Sequence, residues 1–146
     1  MATAVDANVL LRFFQKTHPL HQTTRVAVRQ LRESSEQVCI LPQSVIEFWS
    51  VASRPVSARG GFGLPLNEVH RQVRLMERLF VLLTDKHEVY LEWRHLVVQH
   101  GASGVQVHDA RIAACLRVHG IVRLLTFNTK DFTRYSEFVA VDPQEM

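Results

Sequence analysis

The sequence predicts an α/β fold: a mainly parallel sheet with helices on both faces. Three observations carry this. Short apolar, β-favouring runs alternate along the chain with segments of helical periodicity. The intervening segments are long enough for the crossover helices that parallel neighbours require. The chain's 146 residues, 47% hydrophobic and 21% charged, suit one domain, 1–146, with its own core.

The elements follow in order. Thr3-Ala4-Val5 reads as the first strand, and Val9, Leu10, Phe13 and Phe14 recur at helical spacing directly after it. Residues 20–33 continue as a second helix. Val38-Cys39-Ile40-Leu41 is the second strand, and Pro42 opens a helix with Val45, Phe48, Trp49 and Ala52 on one face. Residues 54–63 hold three of the six glycines and read as a flexible loop; they lack the G-x-x-x-x-G-K-[ST] pattern of a phosphate loop. A helix over 66–79 presents Leu66, Val69, Val73 and Met76, and leads into a third strand, Phe80-Val81-Leu82-Leu83. A helix over 86–99 stops at Gly101; the next starts near Gln106 and stops at Gly120, where glycine suits the position after a helix end. Arg123-Leu124-Leu125-Thr126 is the fourth strand and Phe138-Val139-Ala140-Val141 the fifth.

Several classes are excluded. The longest apolar run, Leu79 to Leu83, is far below the ~20 residues of a membrane span. The start, Met-Ala-Thr-Ala-Val-Asp, lacks the basic region of a signal peptide. Two cysteines, Cys39 and Cys115, cannot build a disulfide scaffold or a cysteine-rich zinc site, and they suit a reducing cytoplasm. The eight histidines show no paired ligand spacing.

The net charge is +3. Between residues 12 and 32, Arg12, Lys16, Arg25, Arg29 and Arg32 occur with no acid among them, and Arg54, Arg59, Arg71, Arg74 and Arg78 face only Glu68 and Glu77 over residues 54–78. Taken alone, this pattern describes solvated helix faces. Around an acidic pocket, it suits a polyanion held by its phosphates.

Such a pocket is legible. In parallel sheets, ligands sit outside the carboxyl ends of the strands. Asp6 follows the first strand, Glu47 lies in the first turns of the helix after the second, Asp109 opens the helix that feeds the fourth, and Asp131, with Asn128, follows the fourth. All four acids therefore reach one edge. Like charges this close repel, and a divalent cation relieves them; oxygen-only donors favour Mg²⁺ or Mn²⁺ over zinc. Each acid also has a plainer reading. Asp6 is a candidate helix cap, Ser44-Val45-Ile46-Glu47 fits a capping box, Asp109 complements a helix dipole, and Asp131 and Asn128 suit local turn bonds. Asp85 also follows a strand; it stands apart only if the third strand is an outer one, ~10 Å away.

The residues now assembled resemble a family. Ala4-Val5-Asp6-Ala7-Asn8-Val9-Leu10-Leu11 looks like the opening block of PIN-domain nucleases. Ser44-Val45-Ile46-Glu47-Phe48 looks like their second block, Val107-His108-Asp109-Ala110-Arg111-Ile112-Ala113-Ala114 like the third, and Leu125-Thr126-Phe127-Asn128-Thr129-Lys130-Asp131-Phe132 like the last. The blocks stand in the family's order and span residues 4–132. Small chains of this kind are similar to the VapC-type toxins of toxin–antitoxin pairs.

The resemblance implies a Rossmann-like three-layer α/β/α sandwich with strand order 3-2-1-4-5. It implies Mg²⁺- or Mn²⁺-dependent hydrolysis of RNA to 5′-phosphate and 3′-hydroxyl ends, a homodimer and a small antitoxin partner. Carried over, Asp6 and Asp109 are the main metal ligands, Glu47 completes the shell or orients water, and Asp131 is the outer acid. Asn8, Thr126 and Asn128 stand behind them as hydrogen bonders. Many family members carry an acid where this chain has Asn128. Arg12, Arg54 and Arg59 are candidate RNA contacts, while His108 is read as a bystander on another helix face.

Two alternatives stay open. One is a PIN-like module that binds RNA or a partner without cutting, for which Asn128 is the hint. The other is a flavodoxin-like phosphoacceptor domain using Lys130, although Ile40-Leu41-Pro42 offers no acceptor aspartate at the end of the second strand.

Overall fold

The computed structural model describes residues 1–146. Its strands are β1 (Ala2–Val5), β2 (Gln37–Ile40), β3 (Val81–Leu82), β4 (Arg123–Leu125) and β5 (Val139–Val141). The α-helices are α1 (Ala7–Phe14), α2 (His21–Glu33), α3 (Pro42–Ser53), α4 (Leu66–Leu79), α5 (His87–His100) and α6 (Gln106–Val118); 3₁₀ turns occupy Thr129–Phe132 and Pro143–Glu145.

The strands form one sheet in the order β3-β2-β1-β4-β5, and every pairing is parallel. Ala4 pairs with Cys39 on one side and Leu124 on the other. Successive residues of a strand point to opposite faces, so a sheet covered on both sides needs unbroken apolar runs. Ala4, Cys39 and Leu124 pack with Leu96, Ala113 and Leu116 under α5 and α6. Their neighbours Val5, Ile40 and Leu125 pack with Leu10, Leu31, Phe48 and Met76 under α1–α4. The two clusters make the three-layer sandwich that the sequence predicts. Because β3 is an outer strand, the sheet also departs from the 2-1-3-4-5 order of a flavodoxin-like domain. No helix is long and apolar enough to cross a membrane.

Three local expectations change. The third strand keeps only Val81 and Leu82; Phe80 turns into the core beside Met76 and closes α4. Helix α3 is capped at Leu41, so Ser44 lies inside its first turn and forms no capping box with Glu47. The Ser44 hydroxyl is buried without a partner. The glycine-rich segment is not loose. It folds back on the end of α3 through Phe62 N–H to Val51 O (3.2 Å), Gly63 N–H to Arg54 O (2.7 Å) and Leu64 N–H to Ala52 O (2.9 Å).

Gly61 is what permits this return. A Cβ there would stand 2.3 Å from Arg54 O and 2.4 Å from Pro55 O, both backbone atoms. Gly61→Ala is therefore expected to destabilise the protein by about 1–3 kcal/mol, as overpacking against fixed atoms does. Urea unfolding midpoints check this.

Candidate active site

The parallel sheet sends every strand's carboxyl end to one edge, and the acids are built there. Asp6 follows β1 and caps α1. Its Oδ1 accepts the Ala7 N–H at 2.8 Å, and its Oδ2 accepts the Thr126 hydroxyl at 2.8 Å. Thr126 leaves the neighbouring strand β4, so this bond ties two strand ends together. The Asn8 amide donates to Thr126 Oγ1 at 3.1 Å and reaches Asp6 Oδ2 at 3.5 Å; Asn8 Oδ1 accepts the Phe127 N–H at 3.1 Å. Asn128 joins through its backbone N–H, which donates to Thr126 Oγ1 at 3.1 Å, while its side chain is exposed. Thr126 thus donates once and accepts twice, and one rotamer of Asp6 is held from three sides.

Glu47 lies in the second turn of α3, half-buried. Its Oε1 accepts the Gln43 amide at 3.0 Å, and the same Nε2 donates to the His108 carbonyl at 2.9 Å. Asp109 occupies the first turn of α6. That turn is gripped from the other side by Trp93, whose indole N–H donates to Val107 O at 2.8 Å. Asp131 is exposed on the 3₁₀ turn after β4.

The electrostatics show that the four acids share one neighbourhood. The Asp6 carboxyl is raised to about 6: burial pushes it up, the bonds from Thr126 and Ala7 pull it down, and the charges of Glu47 and Asp131 push it up further. Asp109 is also raised to about 6, by burial and then by Asp131, Asp6 and Glu47, with His108 opposing. None of the four pairs with a lysine or arginine; the ion pairs of the chain lie elsewhere. No three acidic, histidine or cysteine side chains stand close enough to grip an ion directly. What the edge presents is concentrated, unneutralised negative charge on oxygen donors, which a hard cation relieves.

A groove of about 490 Å³ runs from Glu47 between α3 and α6, lined by Gln43, Ile46, Ser50, Asp85, His108 and Arg111. Asp85 is held there by Arg111 at 3.1 Å and is not among the charges that raise Asp6 or Asp109. His108, read as a bystander, lines this groove and acts electrostatically on Asp109. Of the three arginines expected to touch RNA, Arg12 and Arg54 have their side chains engaged within the chain. Arg12 donates to Gln15 Oε1 at 2.7 Å, and Arg54 donates to Arg59 O at 3.0 Å and Ser50 Oγ at 3.2 Å. At 1.5 Å per residue, Arg12 and Arg54 lie ~9 and ~10 Å further along their helices than Asp6 and Glu47. Gln43 and Arg111 are the residues that sequence reasoning missed. Gln43 belongs to no motif and, apart from Glu47, its partners are remote in the chain; Arg111 lies within the third block, but Gln43 and Asp85, to which it bonds, are 68 and 26 residues away.

Fold and site define an α/β protein of the Rossmann-like kind with an acidic edge, the class to which the PIN nucleases belong. The PIN-domain sequence model matches residues 3–137, and the chain belongs to the PIN-domain family. No curated protein matches it in sequence. Its fold is similar to that of a chain in VapBC2 from Rickettsia felis bound to a promoter DNA fragment, with TM-score 0.72, 14% identity, and 97% of this chain and 98% of that one covered. VapBC-1 from nontypeable Haemophilus influenzae is similar at TM-score 0.67 and 18% identity, with 98% of each chain covered. VapC20 from Mycobacterium tuberculosis, a Sarcin-Ricin loop cleaving toxin, is similar at TM-score 0.67 and 15% identity, with 95% of this chain and 98% of that one covered.

The raised carboxyls predict a pH dependence of stability. A carboxyl whose folded pKa lies above its unfolded value binds more protons when folded. Stability of the metal-free protein therefore falls as pH rises from about 4 to about 6, the value to which both aspartates are raised. Asp109→Asn, which removes one repelling charge, is expected to be more stable than wild type at pH 7 without divalent ions. The difference should close at pH 4. Urea titrations at the two pH values measure it.

Proposed function

We propose that this chain is a divalent-metal-dependent endoribonuclease and the toxin of a toxin–antitoxin pair. The observation that carries the reading is the convergence of Asp6, Glu47, Asp109 and Asp131, unneutralised, at the carboxyl edge of the sheet. The donor chemistry fits Mg²⁺ or Mn²⁺. The spacing that prevents direct capture by three side chains fits a hydrated ion, since Mg²⁺ keeps several waters and uses only one or two carboxylates.

Asp6 and Asp109 are the main ligands in this reading, Glu47 completes the set or orients water, and Asp131 acts from the outer position. A bound ion supplies Lewis acidity at the phosphate and a water of lowered pKa. The chain's own residues do the rest. Thr126 and Asn8 fix the carboxylate of Asp6 in one rotamer. Asn128 offers an amide where many relatives place an acid, leaving Asp131 as the only carboxylate on the 3₁₀ turn that follows β4. Arg54, Arg59 and Arg12 belong to a basic surround that attracts the RNA backbone without reading its sequence.

The partners follow from similar proteins. VapBC complexes are toxin–antitoxin structures, and VapC20 cleaves the Sarcin-Ricin loop. By extension, an RNA substrate, a small antitoxin, a homodimer and a cytoplasmic location belong to this proposal. A groove of about 760 Å³ between α1, α2 and α4 suits the antitoxin. Phe13, Phe14 and Phe62 give it an apolar floor, and Lys16, Arg25 and Arg32 stand at it without a carboxylate partner. These features favour an acidic segment with apolar anchors.

The test is cleavage of labelled single-stranded and hairpin RNAs with Mn²⁺. Wild type should cut, and EDTA should stop it. Asp6→Asn and Asp109→Asn should each lose at least about a hundredfold in rate while remaining folded, as loss of several kcal/mol of charge stabilisation implies. RNA binding without any cutting would favour the non-cutting module. Undiminished cutting by purified Asp6→Asn would overturn the assignment.

A further inference from the structure

We propose that Gln43 is a positioning residue that sets the spacing between Glu47 and the Asp109 turn. The inference rests on the metal-dependent reading above. Gln43 is nearly buried, 9% exposed, at the second residue of α3. All of its amide is engaged. Nε2 donates to Glu47 Oε1 at 3.0 Å and to His108 O at 2.9 Å, and Oε1 accepts from Arg111 Nη1 at 3.2 Å.

The chemistry allows one orientation only. A carboxylate and a carbonyl can only accept, and a guanidinium can only donate. A flipped amide would set oxygen against oxygen and nitrogen against nitrogen. Arg111 is anchored in turn by Asp85 at 3.1 Å. A chain of bonds therefore runs from the loop after β3, through α6, into α3, and ends on a proposed metal ligand.

The second bond of the amide matters as much. His108 O belongs to the residue before Asp109, and Val107 O is held by Trp93 at 2.8 Å. Consecutive carbonyls of the turn that carries Asp109 are thus held by side chains from α3 and from α5. One NH₂ group touches both Glu47 and this turn, so it fixes their separation against the repulsion of the two acids. No other side-chain hydrogen bond reaches Glu47. Hydrogen-bond partners of metal-ligating carboxylates act in this way, and their loss typically costs about 10–100-fold in metal affinity or activity.

The variant Gln43→Met keeps the length and shape of the side chain and removes both donors and the acceptor. Mn²⁺ binding is read by the loss of its free paramagnetic resonance signal, and RNA cleavage by kcat and KM. Mn²⁺ affinity should fall about tenfold or more. At saturating Mn²⁺, kcat should fall while KM for RNA stays within about twofold. Arg111→Gln, at a more exposed position, should give a smaller loss in the same direction, and it serves if Gln43→Met does not fold.

The outcomes separate the two claims. Wild type that neither binds Mn²⁺ nor cuts RNA overturns the nuclease reading and this inference with it. Wild type that does both, with folded Gln43→Met equal to it in Mn²⁺ affinity and kcat, overturns the role of Gln43 alone. If only Arg111→Gln folds, unchanged Mn²⁺ affinity in that variant has the same meaning. A drop in melting temperature with no change in Mn²⁺ affinity shows that Gln43 only packs, and also overturns the inference.

Discussion

Four carboxylates that repel one another are kept together by a sheet whose strands all run the same way. That constraint organises the rest of the molecule. Parallel strands deliver Asp6 and Thr126 side by side, because β1 and β4 are hydrogen-bonded neighbours. Crossover helices return the chain to the opposite edge, so α3 and α6 both begin near the acids. The cost of burying and crowding them is visible in Asp6 and Asp109, both raised to about 6, first by burial and then by the neighbouring acids. It is offset locally by bonds to Ala7 N–H and Thr126, which favour the charged form.

The placement of the cations sharpens this imbalance. The arginine that lines the groove, Arg111, bonds to Asp85 and to the side-chain oxygen of Gln43 and forms no ion pair with the four acids. Arg117 is held between Glu92 and Glu137, and Arg71 by Glu68. No lysine or arginine ion pair therefore quenches the four acids. A small cation is left as the group that can neutralise the centre.

Much of this was readable before the structure. Asp6, Glu47, Asp109 and Asp131 could be assigned to one edge because alternating strands and helices force a parallel sheet, and position after a strand then becomes position in space. The outer place of β3, which sets Asp85 aside, came from the family resemblance, since periodicity does not order strands. Gln43 was not readable. Its partners lie 4, 65 and 68 residues away in Glu47, His108 and Arg111, and a glutamine in the first turn of a helix has no signature of its own. The glycine-rich segment misled for a related reason. Composition suggests freedom, but Gly61 is there for a close backbone approach that only the folded chain reveals. The capping box at Ser44 and Glu47 failed because Pro42 starts the helix two residues earlier.

The central claim is that the crowded edge holds a divalent cation between Asp6 and Asp109. Anomalous diffraction from crystals grown with Mn²⁺ tests it most directly. The account predicts a manganese peak beside both carboxylates, with water completing its shell. A fully ordered site with no peak there at saturating Mn²⁺, or a peak only at unrelated surface acids, would contradict it.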